Sequence, residues 1–405
     1  MKYYKNSELT LRYNISDKTV RNWIDASKQG KLGLKLYSQA GKTYIADSIE
    51  NNFLLTQLAN TGKKYRNNRN HKILRPSKRF YELFTKAQAV EIINTLEKYH
   101  KFSWHYSYFG DGAEYWDKYL HELYGAGSGN LITNTIETLE LNFSYLDAII
   151  RPYKHVNIVN VCLGNNIAIR STLEYIHKSG KLKRFIGIDI SPSVLEVSER
   201  NIQEWFKGTI SMEKHRMDIR YDRFHGILAE NTYGDDASDT INLVFFIAGP
   251  IANFQDPGAL LKTLRESMNK DDVLLITDKR DTEAAHGFFD FNIKSDAALL
   301  SFRHRMLPEL LGIEESFYDA EQVFDEHAHD RYVQIRLKVA ISIEFVLEKY
   351  KKTIELQRGD VLRVWTAHDV PDRESVLLLN KAGFSVLQAG QSTDQELLLT
   401  VSRVA

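Results

Sequence analysis

From Val156 onward, short apolar runs alternate with segments that have helical periodicity. The apolar runs have the length and composition of buried strands. They are Val156–Leu163, Arg184–Ile190, Asn242–Ala248 and Asp272–Thr277. The helical segments between and after them are one that ends near Lys178, one from Ser191-Pro192-Ser193 to Phe206, and Asp256–Met268. Strands separated by helices of this length predict a parallel, doubly wound sheet, in which ligands bind beyond the carboxyl ends of the strands.

Upstream of this pattern the chain has mainly helical periodicity. Lys86–Lys101 is a clear amphipathic helix, and Ile136–Ile150 has the same kind of pattern. An aromatic-rich stretch, Trp104–Gly110, lies between them. We expect these segments to cover one side of the domain that follows.

The first 60 residues have a different pattern. Ser7–Tyr13 reads as a short helix, and Ser16 is a good N-cap for a second helix that ends near Lys28. Val20, Trp23 and Ile24 form one buried stripe on that helix. The later predictions are a hairpin of Leu34–Tyr37 and Lys42–Ile45, then a third helix that Asp47 caps and that buries Ile49, Phe53, Leu54 and Leu58.

Length and composition narrow the class of protein. The chain has 405 residues, of which 43% are hydrophobic, so two or three globular domains are expected. No apolar run approaches the roughly 20 residues that cross a bilayer, and the N-terminus lacks a signal-peptide core. Cys162 is the only cysteine, which excludes an intrachain disulfide and favours a cytoplasmic protein without a membrane partner.

The net charge of zero conceals a strong asymmetry. Residues 1–80 contain 17 Lys and Arg against 5 Asp and Glu, a balance of +12, so the remainder carries −12. Such an asymmetry indicates two modules with different partners, and the basic one is the candidate for binding a polyanion.

The N-terminal layout of helix, turn, helix, basic hairpin and helix resembles the winged helix-turn-helix modules of MerR and excisionase type. The resemblance implies double-stranded DNA as a partner, with residues from the second helix in the major groove and residues from the hairpin at phosphates. The residues concerned are Lys18, Thr19, Arg21 and Asn22 on the helix and Lys35 and Lys42 on the hairpin. A basic tail that includes Lys63, Lys64, Arg66, Arg69, Lys72, Arg75, Lys78 and Arg79 would add backbone contacts. The alternative is a protein-docking module followed by a solvated linker.

Candidate cofactor chemistry follows the predicted strands in order. Gly164-Asn165-Asn166 is a tight loop after the first strand, Asp189 ends the second, and Asp218-Ile219 lies about 30 residues further on. This is the pattern of a SAM-dependent methyltransferase. Asp189 can accept hydrogen bonds from both ribose hydroxyls and Asp218 from the adenine amine. A NAD-binding domain would instead require G-x-G-x-x-G, whereas this loop has one glycine.

Phe245–Phe254, Phe-Phe-Ile-Ala-Gly-Pro-Ile-Ala-Asn-Phe, resembles the G-S-T-I-G-N-F segment of the histidine-specific SAM methyltransferases of the ergothioneine pathway. Further segments match that family in the same order, and the match spans roughly Phe80–Ala405. They are Asp272–Asp281, Phe289–Asn292, Phe302–Arg305, Arg331–Arg336 and Gly359–Phe384. The resemblance implies a Rossmann-like core, a smaller substrate domain and SAM as cofactor.

The same resemblance shows where the chain departs from the family. Asn253 matches the asparagine that holds the amino-acid backbone of the substrate, and Tyr106 or Tyr108 could orient an acceptor. The glutamate and serine that grip the imidazole fall on Trp365 and Ala367. Neither can hydrogen-bond an imidazole as the family residues do.

Three further positions differ from the family. Its paired tyrosines fall near Asn130-Leu131, its acidic position in the first loop is Cys162, and its second loop glycine is Asn166. Asparagine can adopt a positive φ at some cost, so the loop can still form. We therefore expect an amino-acid-like or other small-molecule acceptor rather than histidine.

Together these features predict an α/β protein with a Rossmann-like SAM-methyltransferase core, a smaller α+β substrate domain and an N-terminal winged helix-turn-helix. The expected divisions are residues 1–60 for the winged module, 61–80 for a basic linker, 81–155 and 289–358 for the substrate domain, and 156–288 and 359–405 for the core. The predicted function is SAM-dependent methyl transfer to an altered acceptor, without a metal ion. The alternative is a DNA-binding regulator whose methyltransferase domain senses SAM or another small molecule.

Overall fold

The computed structural model describes residues 3–13, 15–39, 41–48, 50–52, 54–59, 71–229, 237–286, 301–348, 350–368 and 371–405. The chain divides into two compact units. The smaller unit comprises residues 1–73, 339–342 and 355–358, and the larger comprises 74–338, 343–354 and 359–405.

The N-terminal part of the smaller unit contains two helices, a further helical segment and a small sheet. Its elements are β1 (Tyr3–Tyr4), α1 (Asn6–Tyr13), α2 (Asp17–Lys28), β2 (Leu36–Gln39) and β3 (Lys42–Ala46). The strands form an antiparallel sheet in the order β1-β3-β2, and residues 50–52 and 54–59 are helical. The two helices and the hairpin predicted from the sequence are therefore confirmed, with small shifts of their boundaries.

Capping and a narrow apolar stripe explain α2. The Ser16 hydroxyl accepts a hydrogen bond from the Thr19 backbone N–H at 3.2 Å, which satisfies one of the free donors of the first turn. Val20, Trp23 and Ile24 are buried on one face, as their spacing predicts.

The start of the third helical segment differs from the prediction. The Asn51 backbone N–H donates to the Ser48 hydroxyl at 3.2 Å, so Ser48 fills the capping role expected of Asp47. The Asp47 carboxylate instead accepts a hydrogen bond from the Tyr4 hydroxyl at 2.7 Å. Leu54 and Leu58 pack against the small core, whereas Ile49 and Phe53 lie outside the described residues.

The larger unit is built on a sheet with helices on both faces. In chain order its helices are α3 (Lys78–Leu83), α4 (Lys86–Tyr99), α5 (Asp111–Gly125), α6 (Leu131–Leu141), α7 (Phe143–Ile150), α8 (Arg170–Lys178), α9 (Pro192–Phe206), α10 (His225–Leu228), α11 (Pro257–Ser267), α12 (Glu283–His286), α13 (Phe302–Leu310) and α14 (Asp372–Lys381). The strands after β3 are β4 (Lys72–Leu74), β5 (His155–Val161), β6 (Leu182–Asp189), β7 (Met212–Arg216), β8 (Thr240–Phe246), β9 (Val273–Lys279), β10 (Tyr318–Asp325), β11 (Asp330–Leu337), β12 (Ile341–Leu347), β13 (Tyr350–Leu356), β14 (Val361–His368), β15 (Phe384–Gln391) and β16 (Leu397–Val404).

The central sheet has seven strands in the order β15-β16-β9-β8-β5-β6-β7. The five strands β7, β6, β5, β8 and β9 are parallel, and β16 joins β9 in antiparallel register. The strand order reverses beside β5, because β5 pairs with β6 on one side and with β8 on the other. This is a Rossmann-like mixed sheet, and the reversal marks the edge where ligands of such sheets bind.

Two apolar layers cover the sheet. On one face, side chains of β5, β6, β8 and β9 pack with α5, α6 and α7, and on the other face they pack with α11, α14 and β15. The expected cover of one side is confirmed for the helices over Ile136–Ile150, whereas none of the residues of α4 belongs to that layer. Among the described residues, no helix combines the length and apolar composition that crossing a membrane requires.

Sequence periodicity missed one core strand. β7 reads Met-Glu-Lys-His-Arg and buries only Met212, so it lacks the apolar run of its neighbours. β7 is an edge strand of the sheet, with β6 as its neighbour, and polar residues are tolerated in edge strands. Strands β10, β11 and β14 form a separate antiparallel sheet.

Candidate active site

A cavity of about 550 Å³ lies at the carboxyl ends of the parallel strands. Its lining includes every residue that the sequence assigned to the cofactor: Gly164, Asn165, Asn166, Asp189, Asp218 and Ile219. Tyr108 and Asn253 also line it. A volume of this size suits a small organic ligand. The structure thus brings together residues that are up to 145 positions apart, from Tyr108 to Asn253.

The loop after β5 is held in a left-handed conformation at three positions. Cys162, Gly164 and Asn166 have φ angles of 53°, 57° and 68°. Only the glycine adopts such angles without steric cost, whereas asparagine tolerates them better than most residues. The loop therefore forms its tight turn with a single glycine, and Asn166 adopts the positive φ that the sequence analysis allows for it.

The two loop asparagines are used inside the protein. Asn166 Oδ1 accepts a hydrogen bond from Asn160 Nδ2 at 2.8 Å, and Asn165 Nδ2 donates to Asp117 Oδ1 at 2.9 Å. Asn201 Nδ2 donates to the same Asp117 oxygen at 2.7 Å. The side chains of Asn165 and Asn166 therefore shape the cavity wall by fixing the loop, a role that their sequence positions did not reveal.

Asp189 lies at the end of β6, and burial raises its pKa to about 7. Hydrogen bonds from backbone N–H groups oppose this shift, including one from Ser191 to Asp189 Oδ1 at 2.8 Å. The carboxylate is thus held in place by the first turn leading into α9. An ionised carboxylate in a partly apolar cavity is a strong hydrogen-bond acceptor for a ligand.

Asp218 follows β7 and forms an ion pair inside the protein. Its two oxygens accept hydrogen bonds from Arg220, including Nη2 at 2.6 Å and Nε at 2.9 Å. Arg220 Nη1 also donates to Glu91 Oε1 of α4 at 2.7 Å. Ile219, between the two, is buried against the core. Neither Arg220 nor Glu91 was identified from the sequence.

The aromatic stretch after α4 extends this ion-pair network. The Tyr106 hydroxyl donates to Glu91 Oε2 at 2.6 Å, and its pKa is raised by burial and by that carboxylate. Burial lowers the pKa of the neighbouring His105 to about 3, so this imidazole is neutral. Tyr108 lines the cavity and Tyr106 does not, so of the two tyrosines Tyr108 is the candidate for orienting an acceptor.

Tyr108 and Asn253 lie on the walls of the cavity from different elements. The Tyr108 hydroxyl accepts a hydrogen bond from Arg303 at 3.2 Å, and its ring packs edge-on to Trp104 and Trp116. Asn253 closes a turn of 3-10 helix, and its Oδ1 has no hydrogen-bond partner among the described residues. A buried, unsatisfied amide oxygen is costly, so it marks Asn253 as a candidate ligand contact.

A second cavity, of about 770 Å³, shares the wall formed by Trp104 and Asn253. Trp365 lines it but is only 4% exposed, and Ala367 is 2% exposed. The guanidinium carbons of Arg303 and Arg331 lie 5.7 and 5.8 Å from the Trp365 ring centroids. A packed indole therefore occupies the position expected for an imidazole-gripping carboxylate.

Cys162 is not part of the strand in which it was predicted, because β5 ends one residue earlier. Burial and the charges of Asp189 and Asp218 raise the pKa of its thiol well above the ordinary value. The thiol is therefore neutral at physiological pH and is a poor nucleophile.

The predicted nucleic-acid residues lie on the surface of the smaller unit. Lys18, Arg21 and Asn22 are exposed on α2, and Thr19 is half-buried. Lys35 and Lys42 are exposed beside and within the hairpin. Two of these cations have acidic neighbours, because Arg21 pairs with Asp17 at 2.6 Å and Lys35 with Glu50 at 3.4 Å.

The basic tail differs from its predicted role. Arg75 pairs with Glu344, Lys78 with Glu82 and Arg79 with Asp111. Lys72 is in β4 and helix α3 begins at Lys78, so this part of the predicted linker contains regular structure. Lys63, Lys64, Arg66 and Arg69 lie outside the described residues. The tail cations in the larger unit thus have carboxylate partners and are less available for phosphates than predicted.

A Rossmann-like sheet with two acids at the ends of neighbouring strands defines a domain for a nucleoside-containing cofactor. The chain belongs to the family of histidine-specific, SAM-dependent methyltransferases, whose sequence profile matches residues 90–404. It is a SAM-dependent methyltransferase, and SAM is its cofactor. No curated protein matches the chain at the sequence level.

Several solved structures are similar to the chain at low identity. A SAM-dependent methyltransferase from Clostridium acetobutylicum is 9% identical over 73% of this chain and 98% of that one, with a TM-score of 0.36. One from Anabaena variabilis is 13% identical over 72% and 95%, also with a TM-score of 0.36. CalS10, an amino pentose methyltransferase from Micromonospora echinaspora, is 10% identical over 71% and 97%, with a TM-score of 0.35. The family assignment rests on the sequence profile and not on these likenesses.

Proposed function

We propose that SAM binds in the cavity at the carboxyl ends of β5 and β6, with the Asp189 carboxylate accepting from its ribose hydroxyls. Three observations support this: the volume of about 550 Å³, the position of Asp189 at the strand end, and the left-handed loop around Gly164. SAM supplies an electrophilic methyl group on sulfur. The residues of this chain then position the acceptor and exclude water, which suits a displacement needing little acid–base help.

At the adenine end, we propose that Asp218 acts together with Arg220. The carboxylate of Asp218 already accepts four hydrogen bonds from Arg220, counting those longer than 3.0 Å, and a carboxylate has about four acceptor sites. A direct bond from the adenine amine to Asp218 would therefore displace part of this pair. Ile219 contributes an apolar wall at the same end.

The methyl acceptor is proposed to be a small molecule, amino-acid-like but different from histidine. Asn253, with its unsatisfied amide oxygen, and Tyr108 would contact it. Trp365 and Ala367 supply no carboxylate or hydroxyl that could grip an imidazole, and Trp365 is packed between arginines. The observation that carries this proposal is the buried indole at the position of the family's glutamate.

Incubation with methyl-labelled SAM tests this proposal. We expect transfer of label into a small-molecule fraction of a cell extract and little or none to pure histidine. Efficient labelling of histidine would contradict the altered acceptor. Tight SAM binding without any labelled product would instead favour the alternative, a domain that senses SAM.

We also propose that residues 1–60 form a winged helix-turn-helix that binds double-stranded DNA. The support is the order α1, α2 and a basic hairpin, together with the exposure of Lys18, Arg21, Asn22 and Lys42. Residues 81–155 and 289–358 would form the substrate domain and 156–288 with 359–405 the core.

A further inference from the structure

The second cavity contains two cations that have no acidic partner. Lys101 and Arg363 both line it, and neither side chain has a carboxylate within ion-pair distance among the described residues. Other arginines of the larger unit are paired with carboxylates, for example Arg184 with Glu213 and Arg280 with Asp372. An unpaired pair of cations in a cavity is unusual, because their mutual repulsion is not offset.

Backbone pairing fixes the two cations side by side. Lys101 and Arg363 are bridge partners in parallel register, so their side chains project to the same side. The Phe102 backbone N–H donates to the Arg363 carbonyl at 2.8 Å, and the Arg363 N–H donates to the His100 carbonyl at 2.9 Å. Their juxtaposition is therefore built into the fold rather than produced by flexible surface chains.

Local packing also holds the Arg363 side chain in place. Its guanidinium carbon lies 4.1 Å from the centroid of the Tyr332 ring, a stacking distance. Burial, and next the charge of Arg363, lower the pKa of Lys101. This direction is expected for a partly buried amine that lies beside a like charge.

The acidic residues of the cavity do not neutralise this pair. Asp330 favours the charged form of Lys101 at a distance, but its carboxylate pairs with His368 Nδ1 at 3.0 Å. Glu374, the other carboxylate of the lining, is exposed to solvent. A third lining cation, Lys381, is also exposed.

We propose that Lys101 and Arg363 bind an anionic group of the methyl acceptor, either a carboxylate or a phosphate. The inference rests on the proposed function, because it assigns one end of that acceptor. The second cavity adjoins the first across Trp104 and Asn253, so an anion held there leaves the rest of the molecule directed toward the proposed SAM site. Arginine suits the paired oxygens of either anion, and lysine adds a point charge.

Calorimetric titration of the full-length protein tests the site, with acetate and inorganic phosphate as separate probes at constant ionic strength. We expect saturable binding of at least one probe: phosphate alone identifies a phosphate site, acetate alone a carboxylate site, and both a general oxyanion site. Lys101→Gln and Arg363→Gln should each weaken binding by about tenfold or more. Lys101→Arg, which keeps the charge, should retain most of it.

Lys381→Gln is the matched control, because it removes one positive charge from the exposed part of the same cavity. We expect a change of less than about threefold in its affinity for the anion. An equal loss in this variant would show general attraction and overturn the proposal, as would the absence of saturable binding to the parent protein. SAM affinity, measured separately, should be the same in all variants, which verifies folding. Failure of the parent to bind SAM would reject the proposed function without deciding the anion site.

Discussion

The Asp189 carboxylate lies in the cavity, where it can accept hydrogen bonds from a ligand but destabilises the ligand-free protein. Its pKa is raised to about 7 by burial, so the folded protein disfavours the ionised form relative to the unfolded chain. The resulting cost is absent below the unfolded pKa of about 3.9, grows as pH rises, and is complete above the folded pKa. Buried ionisable groups with shifted pKa values are common at functional sites.

Asp189→Asn should therefore stabilise the ligand-free protein at alkaline pH. Because the cavity admits water, we expect about 1–2 kcal/mol at about pH 8, which is less than the full shift implies, and a smaller gain at about pH 5. Urea denaturation followed by circular dichroism at the two pH values measures this. A variant no more stable than the parent at the higher pH would show that burial does not penalise this carboxylate.

Sequence reasoning located some site residues and missed others for a physical reason. Asp189 and Asp218 were found because they follow strands, and Asn253 because a family motif surrounds it. Glu91 lines the same cavity and pairs with Arg220, but the two residues are 129 positions apart in the sequence. No local sequence pattern links them. Side-chain partnerships across elements depend on the folded geometry, which periodicity does not encode.

At the scale of elements, the Arg220 ion pairs connect α4 to the loop after β7. Arg220 bonds to Glu91 and Asp218 at the same time, and all three side chains are less than one-third exposed. Removing a partly buried cation leaves two carboxylates close together without a counter-charge. The cost of this exceeds that of breaking a surface pair.

We expect Arg220→Gln to reduce the free energy of unfolding by about 2 kcal/mol or more. Arg79→Gln is the matched control, since Arg79 pairs with Asp111 and both of these side chains are at least half exposed. That variant should lose less than about 1 kcal/mol. Chemical denaturation of both proteins provides the comparison, and equal losses would contradict a special role for the Arg220 network.

The predictability of the elements follows their burial. The four apolar strands β5, β6, β8 and β9 were predicted within a few residues, because buried parallel strands are continuously apolar. The start of the helix from Pro192 to Phe206 was predicted from its Ser191 cap and its first-turn proline, and its end at Phe206 also agrees with the prediction. The polar edge strand β7 lacks such a signal.

At the scale of the whole molecule, the family match covers one part of the chain and leaves the basic N-terminal part outside it. The family profile covers residues 90–404 and establishes the methyltransferase. The N-terminal 60 residues lie outside that match, and their proposed DNA binding depends on layout and surface charge. The charge balance of +12 in residues 1–80 was evident from the sequence, whereas the pairing of Arg75 and Arg79 with carboxylates was not.

Duplex DNA binding by the full-length protein should weaken steeply as salt rises from about 50 to 200 mM. The double variant Lys18→Gln/Arg21→Gln should have a slope of log affinity against log salt that is less steep by about 2. Each lost phosphate contact accounts for about one unit of this change. Lys207→Gln/Lys270→Gln removes the same charge from exposed positions of the larger unit and should leave the slope unchanged. Binding that is absent, or indifferent to salt, would exclude the DNA-binding proposal.

The most direct test of the account is a calorimetric titration of SAM into the parent protein and into Asp189→Asn at about pH 8, where the free carboxylate is mostly ionised. The account predicts one molecule of SAM bound per chain and an affinity at least about thirtyfold lower in the variant, because a charge-assisted acceptor is lost. Equal affinity in the two proteins, or no binding to the parent, would contradict the assignment of this cavity to the cofactor.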